Sequence, residues 1–293
     1  MIDFMKFKST YFFISSVLVL TALASIFVWG LKPAIDFTGG ALIEVSISDE
    51  NVSSDDLSQY ATNIESVDVS SVQKIQDTNN YVLRTNTIDE NKKAEILSEF
   101  KNNYSNVVEV RFETVGPTLG RELLIKTGVA IFLASILILF YVARQFKDRI
   151  YGVSAILAMF HDTLILIGAF AIFGHFYEVE VDTLFVTAVL TTLSFSVHDT
   201  IVVFDRVRES LHDRPNLNPY DVINKAVTET LSRSINNSMT IIFMLTALSL
   251  LGGVTIRWFS VALLIGTVIG TYSSTFTAAP LLLILMRRRR QNS

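Results

Sequence analysis

The sequence predicts a polytopic α-helical membrane protein of six spans, with one α+β domain inserted between the first and second. Three observations lead there. Half of the residues are hydrophobic, they gather in six long apolar blocks, and the single long polar stretch alternates between strand and helix periodicity. Composition also removes whole classes of function. Cysteine is absent, which excludes disulfides, thiolate metal sites and cysteine nucleophiles. A net charge of −4 with no long basic tract gives no nucleic-acid footprint, so Arg287 to Arg290 are read as a membrane flank.

A bilayer core of about 30 Å takes about 20 apolar residues in a helix. Residues 11–31, 127–143, 151–174, 183–204, 234–256 and 258–286 meet that requirement. The first block follows Lys6 and Lys8 as a secretory signal would, yet it is 21 residues long without a small-x-small cleavage site, and is read as a retained anchor. Lys and Arg beside the spans set the orientation. With the N-terminus inside, Lys6, Lys8, Arg144, Lys147, Arg149, Arg206, Arg208, Arg214, Lys225, Arg233 and the four terminal arginines share one side, against Lys32, Arg121, Lys126 and Arg257 on the other. Both termini are therefore expected in the cytoplasm of a multi-pass protein of the bacterial plasma (inner) membrane.

The chain divides into residues 1–32, with the start and first span, an outer domain over 33–121, and a five-helix bundle over 122–293 with a cytoplasmic loop at 205–233 and a basic tail. Residues 33–120 hold 15 acidic and 6 basic residues. Alternation predicts strands at 42–47, 67–75, 81–85 and 107–115, with a turn at 77–80. Helices follow at 54–64, after a Ser53/Ser54 cap, and at 90–100. The order βαββαβ is ferredoxin-like, a sheet with both helices on one face. In the loop, Pro215 and Pro219 break the chain, and Tyr220 opens an amphipathic helix, with Val222, Ile223, Ala226, Val227 and Leu231 on one side, expected to lie along the inner membrane surface.

A charged side chain at membrane depth costs roughly 3 kcal/mol, which makes each one a functional hypothesis. The tripeptide His-Asp-Thr occurs twice, at 161–163 in the third span and 198–200 in the fourth. Both histidines are read as interhelical hydrogen-bonders rather than ligands. Ala188, Thr192, Ser196 and Asp199 recur at helical spacing, a small and polar stripe that leads to a carboxylate. Arg233, continued by Asn236, Asn237 and Thr240 on one face of the fifth span, is the expected partner of Asp199. Asp199 lies about 9 Å and Asp162 about 16 Å from the cytoplasmic ends of their spans. Asp199 then serves either as a proton switch or as half of a buried pair that fixes helix positions. An aspartyl hydrolase built on the two carboxylates is the weakest alternative, since a dyad needs them at one depth. Gly266, Gly270, Ser274 and Ala278 form a small-residue stripe in the sixth span, assigned here to close packing by a partner chain.

Several segments resemble the SecF family. Ala34-Ile35-Asp36-Phe37-Thr38-Gly39-Gly40 is similar to its (G)IDFxGG signature, with Ala34 in place of the usual glycine. Gly116-Pro117-Thr118-Leu119-Gly120 resembles its GPxxG element. The run from His198 to Glu209 is similar to its most specific motif, usually written with Asn before the aspartate, and Thr230 to Ser238 matches its LSRT/S segment. Gly252-Gly253 also fits. The resemblance implies a half-unit of the resistance-nodulation-division superfamily that pairs with SecD and associates with the SecYEG channel. Such a unit uses the proton motive force to draw unfolded chains outward after the SecA step. It implies no covalent chemistry, metal or cofactor other than protons, with Asp199 and Arg233 in proton conduction, and Asp162 is added as a relay candidate. His198, Asn236, Asn237 and Ser196 support that path, while Asp36, Gly39, Gly40, Gly116, Pro117 and Gly120 are motif or hinge positions. A half-unit exporter of lipids or small hydrophobic molecules is the alternative within the same superfamily.

Overall fold

The computed structural model describes residues 3–49, 52–75, 78–146, 148–213 and 217–291. Asp77, Lys147, Arg214 and Pro215, used in the turn, loop and orientation readings, lie outside the described residues. The chain separates into two compact units, Pro33–Gly128 and the remainder.

In the first unit a short helix, α2 (Ile35–Thr38), leads into β1 (Gly40–Ile47), α3 (Ser54–Thr62), β2 (Val69–Lys74), β3 (Asn80–Thr85), α4 (Glu90–Asn103) and β4 (Val107–Val115). The four antiparallel strands are ordered β2-β3-β1-β4, which is the ferredoxin-like sheet. Ile43 pairs with Leu83 on one side and Phe112 on the other. Alternation puts Ala41, Ile43, Val45 and Ile47 on the buried face, where Leu57, Ala61, Ile96 and Phe100 of the two helices cover them. Both helices start where the caps require. The Ser53 side chain accepts from the Asp55 amide and the Asp89 side chain from the Lys92 amide, each satisfying an orphan donor. This unit carries its own core, so residues 33–120 made as a soluble fragment are expected to melt in one cooperative transition. A featureless circular-dichroism spectrum would count against it.

Among the described residues six helices are long and apolar enough to cross a membrane. They are α1 (Lys8–Val28) with a 3₁₀ turn before it (Phe4–Phe7), α5 (Pro117–Gln145), α6 (Arg149–Phe176), α7 (Thr183–Asp213), α8 (Pro219–Leu251), and a broken sixth span. The last consists of α9 (Val254–Ser273), a π-helical turn (Ser274–Ala278) and α10 (Ala279–Gln291). α1 and α6 approach backbone to backbone: a Cβ built on Gly168 would stand 2.4 Å from the Ala22 Cα, and the Ser25 hydroxyl donates to the Gly168 carbonyl at 2.9 Å.

One expectation is overturned. No separate surface helix begins at Tyr220, because α8 runs unbroken from Pro219 to Leu251. Its start is set by Asn218, whose side chain accepts from the Tyr220 amide, and by Pro219 in the first turn. Between Pro219 and Gly252 there is neither proline nor glycine to stop it. Its apolar face is buried in protein instead of lipid headgroups: Val222, Ile223, Ala226 and Val227 belong to the bundle core. The Asn224 side chain accepts from the Phe4 amide at 2.7 Å and ties the N-terminus to this segment.

Two apolar clusters stand in the bundle. One gathers Ala155, Met159, Val203, Phe204, Ala279 and Leu282; the other gathers Leu166, Phe170, Phe185, Val189 and Ala262. Where α6 and the sixth span pass from one cluster to the other, their buried residues turn polar: Asp162, Ser273, Ser274, Thr275 and Thr277.

Candidate functional site

Asp162 occupies that polar layer and is fully buried. The Ser196 hydroxyl of α7 donates to its Oδ2 at 2.6 Å, and the Ser273 hydroxyl, at the end of α9, donates to the same oxygen at 2.5 Å. His161 Nδ1 lies 2.8 Å from Oδ1. One carboxylate thus joins three spans through short hydrogen bonds. Ser196 was grouped with Asp199 by the spacing of the stripe on α7, yet its hydroxyl turns to Asp162.

Asp199 is set differently. It is half-buried on α7, and its Oδ2 accepts from the Ser234 hydroxyl of α8 at 3.0 Å. Beside it a cavity of about 30 Å³ opens between α7, α8 and α9, lined by His198, Asn237, Ser238, Thr267 and Thr271, enough room and polarity for water. The Thr271 hydroxyl donates to Ser238 at 2.6 Å on that wall. The expected partner, Arg233, does not meet Asp199. Successive helical residues diverge by about 100°, so Ser234 faces α7 while Arg233 is exposed, as are Asn236, Asn237 and Thr240. The two carboxylates have separate partners and no bond to one another, which is not the geometry of an aspartyl dyad.

The small-residue stripe of the sixth span is also used otherwise than expected. A Cβ on Gly266 would strike the Thr192 hydroxyl at 2.2 Å, and one on Gly270 would touch the Ser196 Cα at 3.4 Å. The close neighbour is α7 of the same chain, not a helix of a partner, and this contact shapes the floor between the two carboxylates.

In the α/β unit the two glycine motifs pack on each other. Gly39 and Gly40 have φ of 73° and 128°, conformations that favour glycine. A Cβ on Gly39 would stand 2.9 Å from the Pro117 Cα, one on Gly40 2.7 Å from the Thr85 oxygen, and one on Gly120 2.8 Å from the Gly39 nitrogen. Gly39, Gly40 and Gly120 thus hold a tight clasp, with Asp36 in the first turn of α2. Gly116 has open space around it.

Serines and threonines are what the sequence reading missed: Ser234, Ser273, Thr267 and Thr271. Hydroxyls are common enough in spans that only proximity distinguishes these. The cluster of hydroxyls from Thr271 to Thr277 in the sixth span was the available signal.

Comparison with known proteins bears on this arrangement of six spans, inserted domain and two carboxylates within the spans. Residues 95–288 match the family described as protein export membrane protein SecD/SecF, C-terminal. The chain is 40% identical to the protein translocase subunit SecF of Thermobaculum terrenum, over 96% of this chain and 93% of that one. The chain belongs to the SecF family. The SecF of Sebaldella termitidis is 39% identical, over 97% of this chain and 91% of its own length. The crystal structure of SecDF from Thermus thermophilus, described as a translocon-associated membrane protein, superposes with a TM-score of 0.85 at 28% identity. The match covers 98% of this chain and 39% of the SecDF chain, so the SecF-like part is well under half of that longer protein.

Proposed function

We propose that this chain is the SecF half of a SecDF complex, which uses the proton motive force to assist protein export through the SecYEG channel after the SecA-driven step. The observation that carries the reading is Asp199, a carboxylate at membrane depth that opens on a small cavity with polar side chains in its wall and has only a neutral donor among its described bonds. Such a group can be charged or neutral at modest cost, which a group locked in an ion pair cannot. Arg233 precedes Ser234 on α8, and its long side chain can reach Asp199 when the carboxylate is ionised; protonation releases it. Moving one charge through 100 mV is worth about 2.3 kcal/mol, enough to bias a two-state rearrangement of the spans.

SecD is the proposed partner. Arg233, Asn236, Asn237 and Thr240 are exposed on one face of α8, and such a face is costly against lipid tails. Polar helices of a second half-unit would cover it. The α/β unit, on the outer surface with both termini cytoplasmic, would engage the unfolded polypeptide. The chain reconstituted with SecD and SecYEG in vesicles is expected to stimulate export only when a proton gradient is imposed. Equal export with and without the gradient would overturn the reading.

A further inference from the structure

Asp162 poses a charge problem that Asp199 does not. It is sealed between two apolar clusters, and its described bonds come from His161, Ser196 and Ser273, none of them Lys or Arg. The elements packed around it bring few other titratable groups. From α1 there are Lys8 and Tyr11, at its first turn, and from α10 the arginines at its far end. α9 brings Arg257 at its start and Tyr272, whose hydroxyl is buried without a bond, and α7 brings His198 and Asp199 one turn beyond Ser196. If Asp162 is ionised while His161 is neutral, the layer carries one uncompensated negative charge, a costly state in a medium of low polarity. One additional proton, on the carboxylate or on the imidazole, makes the cluster neutral.

The imidazole is built to take part. His161 is nine-tenths buried, its Nδ1 is within hydrogen-bond distance of Oδ1, and its Nε2 is buried with no bonding partner. Ser196 connects this cluster to the open site. It lies three residues before Asp199 on α7 and bonds to Asp162. Its backbone is also covered by Gly270, which lines the Asp199 cavity.

We propose that Asp162 and His161 form a second, occluded proton-binding site, holding one exchangeable proton between carboxylate and imidazole, and that Ser196 is the contact through which it communicates with Asp199. The inference deepens the proton-driven reading and rests on it for its biological use, but proton binding at Asp162 is measurable without export. Uptake converts the Asp162 carboxylate with neutral His161 into either the carboxylic acid or the aspartate–imidazolium pair; release reverses it. Ser273 stands where the sixth span leaves α-helical geometry for the π-helical turn, and Pro280 follows, which cannot donate a backbone hydrogen bond. Occupancy of the site therefore bears on the π-helical turn of the sixth span.

The test is infrared titration of the full chain in lipid nanodiscs, with isotope-labelled aspartate and histidine, in an Asp199→Asn background that removes the other membrane carboxylate. A pH-dependent carboxylic-acid or imidazole ring band is expected in the difference between this background and the same chain with Asp162→Asn, in which the other aspartates and histidines cancel. In His161→Gln the proton has only the carboxylate to occupy, so the carboxylic-acid band must strengthen. Should the Asn variant be unstable, Ser273→Ala keeps the assignment open, because a lost hydrogen bond shifts the carbonyl frequency of Asp162 without abolishing the band. The proposal is overturned if that difference is flat over the pH range in which the protein stays folded. That result would leave the export reading, tested by the gradient experiment, untouched.

Discussion

Asp199→Asn is expected to abolish the gradient-dependent part of secretion while leaving membrane insertion and partner binding intact. The amide oxygen can still accept the Ser234 hydroxyl that now reaches Oδ2 at 3.0 Å, so the packing between α7 and α8 is preserved. What is lost is the exchangeable proton. Arg233→Lys keeps a positive charge but loses the planar fork, and should impair transport partly, because a point charge can neutralise a carboxylate without two-point geometry. A cation left without its anion can itself destabilise the bundle. The double variant Asp199→Asn with Arg233→Gln removes that complication and is expected to be at least as stable as Asp199→Asn, and as inactive. Stable variants in which Asp199→Asn responds to the gradient like the parent protein would make Asp199 a structural residue and remove the mechanism.

Fold and site were legible in the sequence to different degrees, for a physical reason. Periodicity reports burial, and burial is decided by local spacing, so the strand at 81–85, whose residues alternate between buried and half-buried, and the helix starting at Glu90 fall where alternation and capping place them. Helix ends at an interface are less legible. The break expected between the helix that opens at Tyr220 and the fifth span at Ser234 does not occur, since the polarity of the residues before the fifth span records exposure to water or headgroups and says nothing of whether the backbone stops. At the site, the carboxylates were visible because charge in hydrocarbon is rare. Their partners were not. Whether Ser196 turns to Asp199 or to Asp162, and whether Arg233 or Ser234 meets Asp199, depends on helix rotation about the long axis, where one residue amounts to about 100°. The small stripe from Gly266 to Ala278 likewise announced a close helix without naming it, and that helix is the chain's own α7.

The close approach of α1 and α6 gives the second large effect, and it contrasts two glycines of one helix. A side chain on Gly168 would meet both the Cα and the Cβ of Ala22 at 2.4 Å. Even Gly168→Ala therefore has to drive two backbones apart, since no flexible side chain is available to yield. It also weakens the Ser25 bond to the Gly168 carbonyl. Overpacking of this kind costs about 1–3 kcal/mol where some relaxation is possible, and here the obstacle is main chain, so the upper end is expected, rising further for Gly168→Val. Gly152 lies in the same α6 with nothing within 4 Å of its added Cβ. There the substitution brings only the helical preference of alanine over glycine, about 1 kcal/mol in the stabilising direction. Thermal unfolding of the purified chain in detergent should therefore move in opposite directions for Gly152→Ala and Gly168→Ala. Two shifts of the same sign would mean that α1 does not pack on α6 through Ala22 and Gly168, and the contact would have to be reassigned.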